Sequence, residues 1–275
     1  MYKTEKEFLE NYDPKKFDQL SMTADILLIS ISSEEQENYR KTSDKKLSIL
    51  LVKRDDFPYK DKWCLPGGFL DPKTETLEDT AKRILKKEVN LENIYLEQLY
   101  THDDLNRDPR CRVVSTSFIA LVDKNRLTKD LNENASWFTM DFIIDNNDEM
   151  KIHLDNGIED FYLDCKKHVN ESSTNTKYTI TKDEHIAFDH SLIIFTGIER
   201  VRNKIKYTDL VFYMMPKYFT LGELQKVYEA VLNKKLLEPA FRRVIADKVE
   251  KTDIVQKGGG HRPSVLFTYK KGITH

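Results

Sequence analysis

The segment "WCLPGGF" (Trp63 to Phe69) restricts the possible folds of this chain more than any other stretch. Pro66 has no backbone N–H to give, and Gly67 and Gly68 permit a tight turn, so regular structure must break there. On its N-terminal side lie two apolar runs of strand length, "ADILLISIS" (Ala24 to Ser32) and "KLSILLVKR" (Lys46 to Arg54). The polar run "SEEQENYRKTSDK" between them reads as a loop. On its C-terminal side the pattern turns helical from Thr76. Thr76 is a helix cap, and Asp79 three residues on completes a variant of the capping box. Leu77, Thr80, Ala81, Ile84, Leu85 and Val89 line one side of that helix, which should therefore pack on a sheet. Further strands are expected at Arg110 to Val122 and Ala135 to Met140. An α/β or α+β first domain follows.

Beyond it, Asn170 to Glu184 is polar and reads as a loop, and His185 to Lys206 carries apolar residues at helical spacing. The style then changes. Thr220 caps a helix with Glu223 completing the box, and a second helix should run from about Glu238 to Lys248. In that helix Phe241, Val244 and Ile245 should pack inward, with Arg242 and Arg243 leaning out. "DIVQK" and "SVLFTYK" flank the glycines Gly258 to Gly260 as two strands of a hairpin. Helix, helix, strand, loop, strand is the order of a small winged helix. A length of 275 residues exceeds the usual single domain. The division expected is residues 1–206 and 207–275.

Charge follows that division. The chain has a formal charge of -2, yet Lys217 onward carries 12 Lys/Arg against 6 Asp/Glu, leaving the remainder at -8. Such asymmetry suits a basic end that meets a polyanion, and it also suits an ordinary solvated surface. No apolar run approaches the ~18 residues of a membrane span. The start lacks the apolar region of a signal peptide. Cys64, Cys111 and Cys165 lie too far apart to suggest a disulfide framework or a cysteine-rich zinc site. A cytoplasmic setting is expected, with no membrane partner. His185 and His190 are five residues apart and do not share a helical face well, so they are not read as a metal pair.

"GGFLDPKTETLEDTAKRILKKEVNL" (Gly67 to Leu91) resembles the Nudix box, the signature of hydrolases that split a nucleoside diphosphate linked to another group. The resemblance implies a Nudix fold, a mixed sheet sandwiched by helices. Gly68 matches the box glycine, and Glu75 the first glutamate after six residues instead of five. Arg83 and Leu85 match. Ile84 stands where a glutamate belongs, Lys87 replaces the first of a glutamate pair, Glu88 keeps the second, and Asn90 replaces the last glycine. In the family the helix carboxylates hold Mg²⁺ or Mn²⁺, which clamps the diphosphate and activates water. Glu75, Arg83 and Glu88 are what remains of the catalytic box. No cofactor is therefore expected to be required, no metal is expected (Glu88 being its ligand if one binds), and Mg²⁺ or Mn²⁺ matters only if hydrolysis is retained. Lys87 puts an ammonium near the place of a cation. It can meet a phosphate directly, or it is a solvated helix lysine.

"YLEQLYTHDDLNRDPRCRVVSTSFIALV" (Tyr95 to Val122) resembles the segment after the box in Nudix proteins that handle ADP-ribose. The resemblance implies a ligand set of Gly67, Gly68, Lys87, Asp104, Arg107, Asp108 and Arg110. The arginines would grip phosphates, and the aspartates would orient them or meet ribose hydroxyls. Read by itself, "NRDPR" is also a charged turn shaped by Pro109. Trp137 and Phe138 follow the pattern of core aromatics. The tail is similar to that of NrtR-type regulators of NAD metabolism, and the likeness runs from about Met22 to Lys270. It implies DNA contacts by Lys234, Lys235, Arg242 and Arg243, and by His261 and Arg262 in the wing.

The function implied is a transcriptional regulator. It would bind ADP-ribose or a related NAD-derived nucleotide through a degenerate Nudix domain, and double-stranded operator DNA as a homodimer. Two alternatives stand beside it. One is a Mg/Mn-dependent Nudix hydrolase acting on ADP-ribose or a related nucleoside diphosphate. The other is a nucleotide-sensing protein-interaction module without a DNA target.

Overall fold

Strand β1 (Ser21–Ser33) is an interior strand of the sheet, paired along both of its edges. Its side chains alternate between two faces, as the two-residue period of a strand requires. Ala24, Ile26 and Leu28 join one apolar cluster, whereas Leu27 and Ile29 join another. Helices cover both. In the computed structural model, residues 4–16, 18–33, 43–90, 92–127, 131–144, 149–168, 177–256 and 263–271 are described.

After the N-terminal helix α1 (Glu5–Asn11) and β1 come β2 (Lys45–Lys53), the short β3 (Trp63–Cys64) and β4 (Gly67–Phe69), and helix α2 (Leu77–Val89). Strands β5 (Tyr95–His102), β6 (Val113–Leu121), β7 (Ala135–Ile144), β8 (Glu149–Asp155), β9 (Asp160–His168) and β10 (Lys177–Lys182) follow. They form one sheet in the order β10-β9-β8-β7-β2-β1-β6-β5, with β3 on β2 and β4 on β1. The β1–β6 pair is parallel and β1–β2 antiparallel, so the sheet is mixed. Helix α2 covers one face through Ala81, Ile84, Leu85 and Val89. Helix α3 (His190–Lys204) covers the other through Ile193, Ile194, Phe195 and Ile198.

Helix α4 (Leu221–Leu232), helix α5 (Glu238–Ile245), and the hairpin of β11 (Val249–Gln256) and β12 (Ser264–Tyr269) make the winged helix. Its core is not separate. Leu224, Val227, Val231, Phe241 and Ile245 belong to the same buried cluster as Leu27, Ile29 and Ile49 of the sheet. Polar contacts reinforce the junction. Arg202 of α3 donates to the Val231 carbonyl at 2.9 Å, and its guanidinium lies 3.6 Å from the Phe142 ring centroid. Asn233 donates to the Phe142 carbonyl at 2.7 Å, and Lys226 pairs with Asp44 at 2.7 Å. Among the described residues no helix is long and apolar enough to cross a membrane.

Both expected capping boxes are present, Thr76 with Asp79 and Thr220 with Glu223. Five local expectations change. Regular structure breaks only around Pro66: Gly67–Phe69, read as part of the break, pairs with β1 as a short strand, because glycine lets the two backbones approach closely. Lys177–Lys182, read as loop, pairs with β9 as an edge strand. Helix α3 begins at His190 rather than His185, because Phe188 is in the left-handed region at φ 57°. Helix α5 stops at Ile245 rather than Lys248. Val244 does not pack inward; it is 68% exposed. Consecutive helix positions diverge by about 100°, so Ile245 and Phe241 share the buried side while Val244 turns away. Strands β8 and β9 show alternating burial, with Met150, Ile152 and Leu154 and then Phe161, Leu163 and Cys165 inside.

Gly197 tests how tightly α3 lies on β1. A Cβ there would meet Leu27 Cδ2 at 2.3 Å and Leu99 Cδ2 at 3.2 Å, both in the core. Helix propensity favours alanine over glycine by about 1 kcal/mol. Overpacking a filled core typically costs ~1–3 kcal/mol. The second effect should win, so Gly197→Ala is expected to lower the urea midpoint. An unchanged or raised midpoint would mean that the helix can lift from the sheet freely.

Candidate functional site

Helix α2 retains the frame of the box and has exchanged its chemistry. Arg83 and Glu75 form a two-pronged pair, Nε to Oε1 at 2.5 Å and Nη2 to Oε2 at 2.8 Å. The same guanidinium donates to the Phe69 carbonyl at 3.0 Å, and Glu75 also accepts from Thr80 at 2.9 Å. The hydrogen bonds from Arg83 hold the Glu75 carboxyl down to about 2. Glu75 thus braces the loop. Asn90 ends the helix in the left-handed conformation at φ 51°, which asparagine accepts best after glycine.

Ile84 is buried among Ala24, Ile26, Leu28 and Leu85, beneath Gly68. Lys87 is 75% exposed and its ammonium stands 3.3 Å from Glu88. Glu88 is buried and accepts from Asn132 at 3.0 Å. These residues do not fit Mg²⁺ or Mn²⁺. Where hard cations need several oxygens, the helix turns one carboxylate toward the cleft, Glu88, already paired with an ammonium and an amide.

The helix borders a cleft of about 320 Å³. Thr23, Asp25, Gly67, Gly68, Phe69, Lys87, Glu88, Arg107, Asp108 and Arg110 line it, with Arg54, Phe188 and His190 opposite. The sequence reading therefore brought together Gly67, Gly68, Lys87, Arg107, Asp108 and Arg110. Asp104 is not among the lining residues; its carboxylate accepts from the Asn106 amide and its carbonyl from Arg112, which shapes the turn. Asp108 is buried and pairs with Arg110 at 2.7 Å, which holds its carboxyl below the ordinary value. The Arg110 guanidinium also lies 5.2 Å from the Phe69 ring and 5.8 Å from Phe188. Arg54 reaches the same Phe188 ring at 5.0 Å and donates to the Pro58 carbonyl at 2.6 Å. Two guanidiniums are thus steadied at one mouth by aromatic faces.

Beneath the cleft runs a buried network. Arg107 joins Asp189 by two hydrogen bonds, 3.0 and 2.7 Å, and Asp25 at 3.3 Å. Ser115 donates to Asp25 at 2.5 Å, and Gly67 lies so close that a Cβ would meet the Asp25 carboxylate at 2.2 Å. Only glycine permits that approach. His190 Nδ1 accepts the Leu65 N–H at 2.9 Å, while Nε2 faces Asp25 at 3.6 Å. Burial would raise the Asp189 carboxyl, but the Arg107 hydrogen bonds and the charges around it hold it low.

Sequence reasoning missed Asp25, Arg54, Phe188 and Asp189. Asp25 carried a usable signal, a lone carboxylate in an apolar strand, since a buried charge must be paired. The other three come from distant segments that only folding unites.

On the winged helix, Arg242 and Arg243 are exposed on α5. Arg242 pairs with Glu238 at 2.7 Å. Lys234 and Lys235 lie in the turn before α5, with Lys235 3.5 Å from Asp44. His261, Arg262 and the glycines of the wing lie outside the described residues.

A NUDIX domain model matches residues 40–161, and the NrtR DNA-binding winged helix domain matches residues 211–269. The chain thus combines a Nudix fold with a C-terminal winged helix of the NrtR type. It is 29% identical over 273 residues to the ADPR responsive transcriptional repressor NtrR of Acinetobacter baylyi, covering 98% of this chain and 89% of that one. Its structure is similar to a MutT/nudix family protein from Enterococcus faecalis, with TM-score 0.70 and 25% identity over 97% of this chain and 94% of the other. Shewanella oneidensis NrtR complexed with a 27mer DNA aligns with TM-score 0.61 and 25% identity, covering 90% and 93%.

Two buried histidines, His190 in the cleft lining and His102 of β5, should make the fold acid-sensitive. Burial pushes His190 and His102 below the ordinary imidazole value. The unfolded chain binds protons first as the pH falls through about 6.5. Stability should therefore be full above that value and decline below it. Urea midpoints measured from pH 8 to pH 5 should fall below pH 7, with a shallower fall in His190→Gln. An identical slope in the variant would place the proton uptake elsewhere.

Proposed function

We propose that this chain is a cytoplasmic, homodimeric transcription regulator. It binds ADP-ribose or a related NAD-derived nucleotide in the Nudix cleft without hydrolysing it, and operator DNA through the NrtR winged helix. One observation carries the reading: Arg54 and Arg110 both line the cleft against the Phe188 ring, while Ile84 and Lys87 occupy two carboxylate positions of its helix. A site so built can hold a diphosphate and lacks the oxygens that would hold a metal against it. The similarity to an ADPR-responsive repressor over nearly the whole chain supports both halves of the reading.

In this reading Arg54 and the remaining donors of Arg110 take the phosphate oxygens, with Asp108 bonded to Nε and Nη2 of Arg110 and fixing its direction, and Lys87 adds an ammonium from α2. The Gly67–Gly68 backbone lets the ligand approach closely. Arg107 acts from below, since its charge is already spent on Asp25 and Asp189. Coupling to DNA follows α3. Its N-terminal end borders the cleft floor, and Arg202 near its other end holds α4. A ligand that favours one setting of α3 would shift DNA affinity, provided it binds the two settings unequally.

Calorimetry in EDTA is expected to give saturable ADP-ribose binding. Arg110→Ala should weaken it roughly tenfold or more, the usual scale for a hydrogen bond to a charged group. Turnover with Mg²⁺ or Mn²⁺ should be negligible; a rate near ~1 per second would instead make this a working hydrolase. Absence of binding at millimolar nucleotide would defeat the sensor reading. A duplex selected from random sequence should bind more weakly as salt rises, because phosphate contacts release counterions. Its midpoint should move when ADP-ribose is added.

A further inference from the structure

Helix α5 exposes an apolar stripe that nothing else in the described fold covers. Leu237, the residue that precedes α5, is 80% exposed, Val244 is 68% exposed, and Ala240 lies open between them. Spacings of three and four residues put all three on one flank. Phe241 and Ile245 hold the buried side. Arg243 stands near the middle of the outward surface and makes no ion pair among the described residues, whereas Arg242, on the other flank, is tied to Glu238. The outward surface of α5 is thus half apolar and half cationic.

Size decides what such a surface can meet. A stable protein interface buries about 1,200 Å² or more in total. Three side chains along one short helix supply a few hundred at most, the size of an ordinary surface patch. The major groove of DNA is about 12 Å wide and admits one helix. Its one apolar feature is the thymine methyl, which apolar side chains contact. An adjacent arginine suits guanine or phosphate in the same groove.

We infer that Leu237, Ala240 and Val244 form a thymine-reading stripe, so that base choice rests on methyl contacts as well as on arginine. The inference rests on the proposed DNA-binding role of the winged helix. It also fixes a length. Leu237 and Val244 are about 10 Å apart along a helix that rises 1.5 Å per residue. That spans roughly three base-pair steps of 3.4 Å. The thymines read should therefore fall within three or four consecutive pairs of each half-site.

The test uses the full chain and a duplex selected from random sequence. Each thymine is replaced singly by deoxyuridine, which removes the methyl and keeps the pairing. Affinity is read by fluorescence anisotropy. Loss of one buried methyl should weaken wild type roughly three- to fivefold at one or two adjacent positions. Val244→Ala should abolish that sensitivity at one position and Leu237→Ala at another, with melting temperatures unchanged because both side chains are exposed. The inference is overturned if no deoxyuridine weakens wild type, or if both variants keep the wild-type pattern. It is also overturned if the deoxyuridine series is flat while Val244→Ala changes the sedimenting mass, which would make the stripe a protein interface. If the full chain selects no duplex at all, the DNA-binding role itself fails and the inference falls with it.

Discussion

Arg107 is 3% exposed, and it is held between two carboxylates that come from different parts of the chain. Asp25 belongs to β1, inside the sheet, and Asp189 immediately precedes α3. Charges taken out of water are tolerated only when paired with good geometry. Removing one partner of such a group costs about 3–5 kcal/mol, because the other charge is left stranded. The loop carrying Arg107, strand β1 and the start of α3 are therefore fastened at one point. The cleft floor and the direction of α3 both depend on it.

Above that floor, the residues that shape the cleft differ from those at the metal-ligand positions of the box, so one set can change without the other. Glu75 and Arg83 hold the glycine loop in shape through hydrogen bonds that need no metal. Ile84 has moved its position from a metal site to the apolar layer between α2 and the sheet. A fully buried isoleucine is worth ~1.5–3 kcal/mol, so the exchange favours packing. The loop, the arginines and the aromatic rings remain arranged around a cleft large enough for part of a nucleotide.

The same economy joins the two halves of the molecule. Phe212, Phe219, Val231 and Phe241 continue the cluster that begins at Leu27 and Ile29. A core without a break resists independent motion of its parts, because interiors are close-packed. Helix α3 spans that core from the cleft to the winged helix. In the proposed regulator, this is the route by which a change at its first turn would reach α4.

The sequence by itself determined the local elements whose cause is local. Two apolar runs and the Thr76 and Thr220 capping boxes specified strands and helices, since neighbouring residues alone decide caps and periodicity. The loss of carboxylates at Ile84 and Lys87 was equally legible, because residue type alone excludes isoleucine as a ligand. Tertiary structure decided what depends on residues far apart in the chain. It turned Arg107 from an expected phosphate contact into the buried partner of Asp25 and Asp189, and set Phe188 beside Arg54 and Arg110. It also made Lys177–Lys182 an edge strand and turned Val244 outward. The physical reason is the same in each case: burial and charge pairing belong to the neighbours a side chain meets in space, and a run of sequence names only the neighbours along the chain.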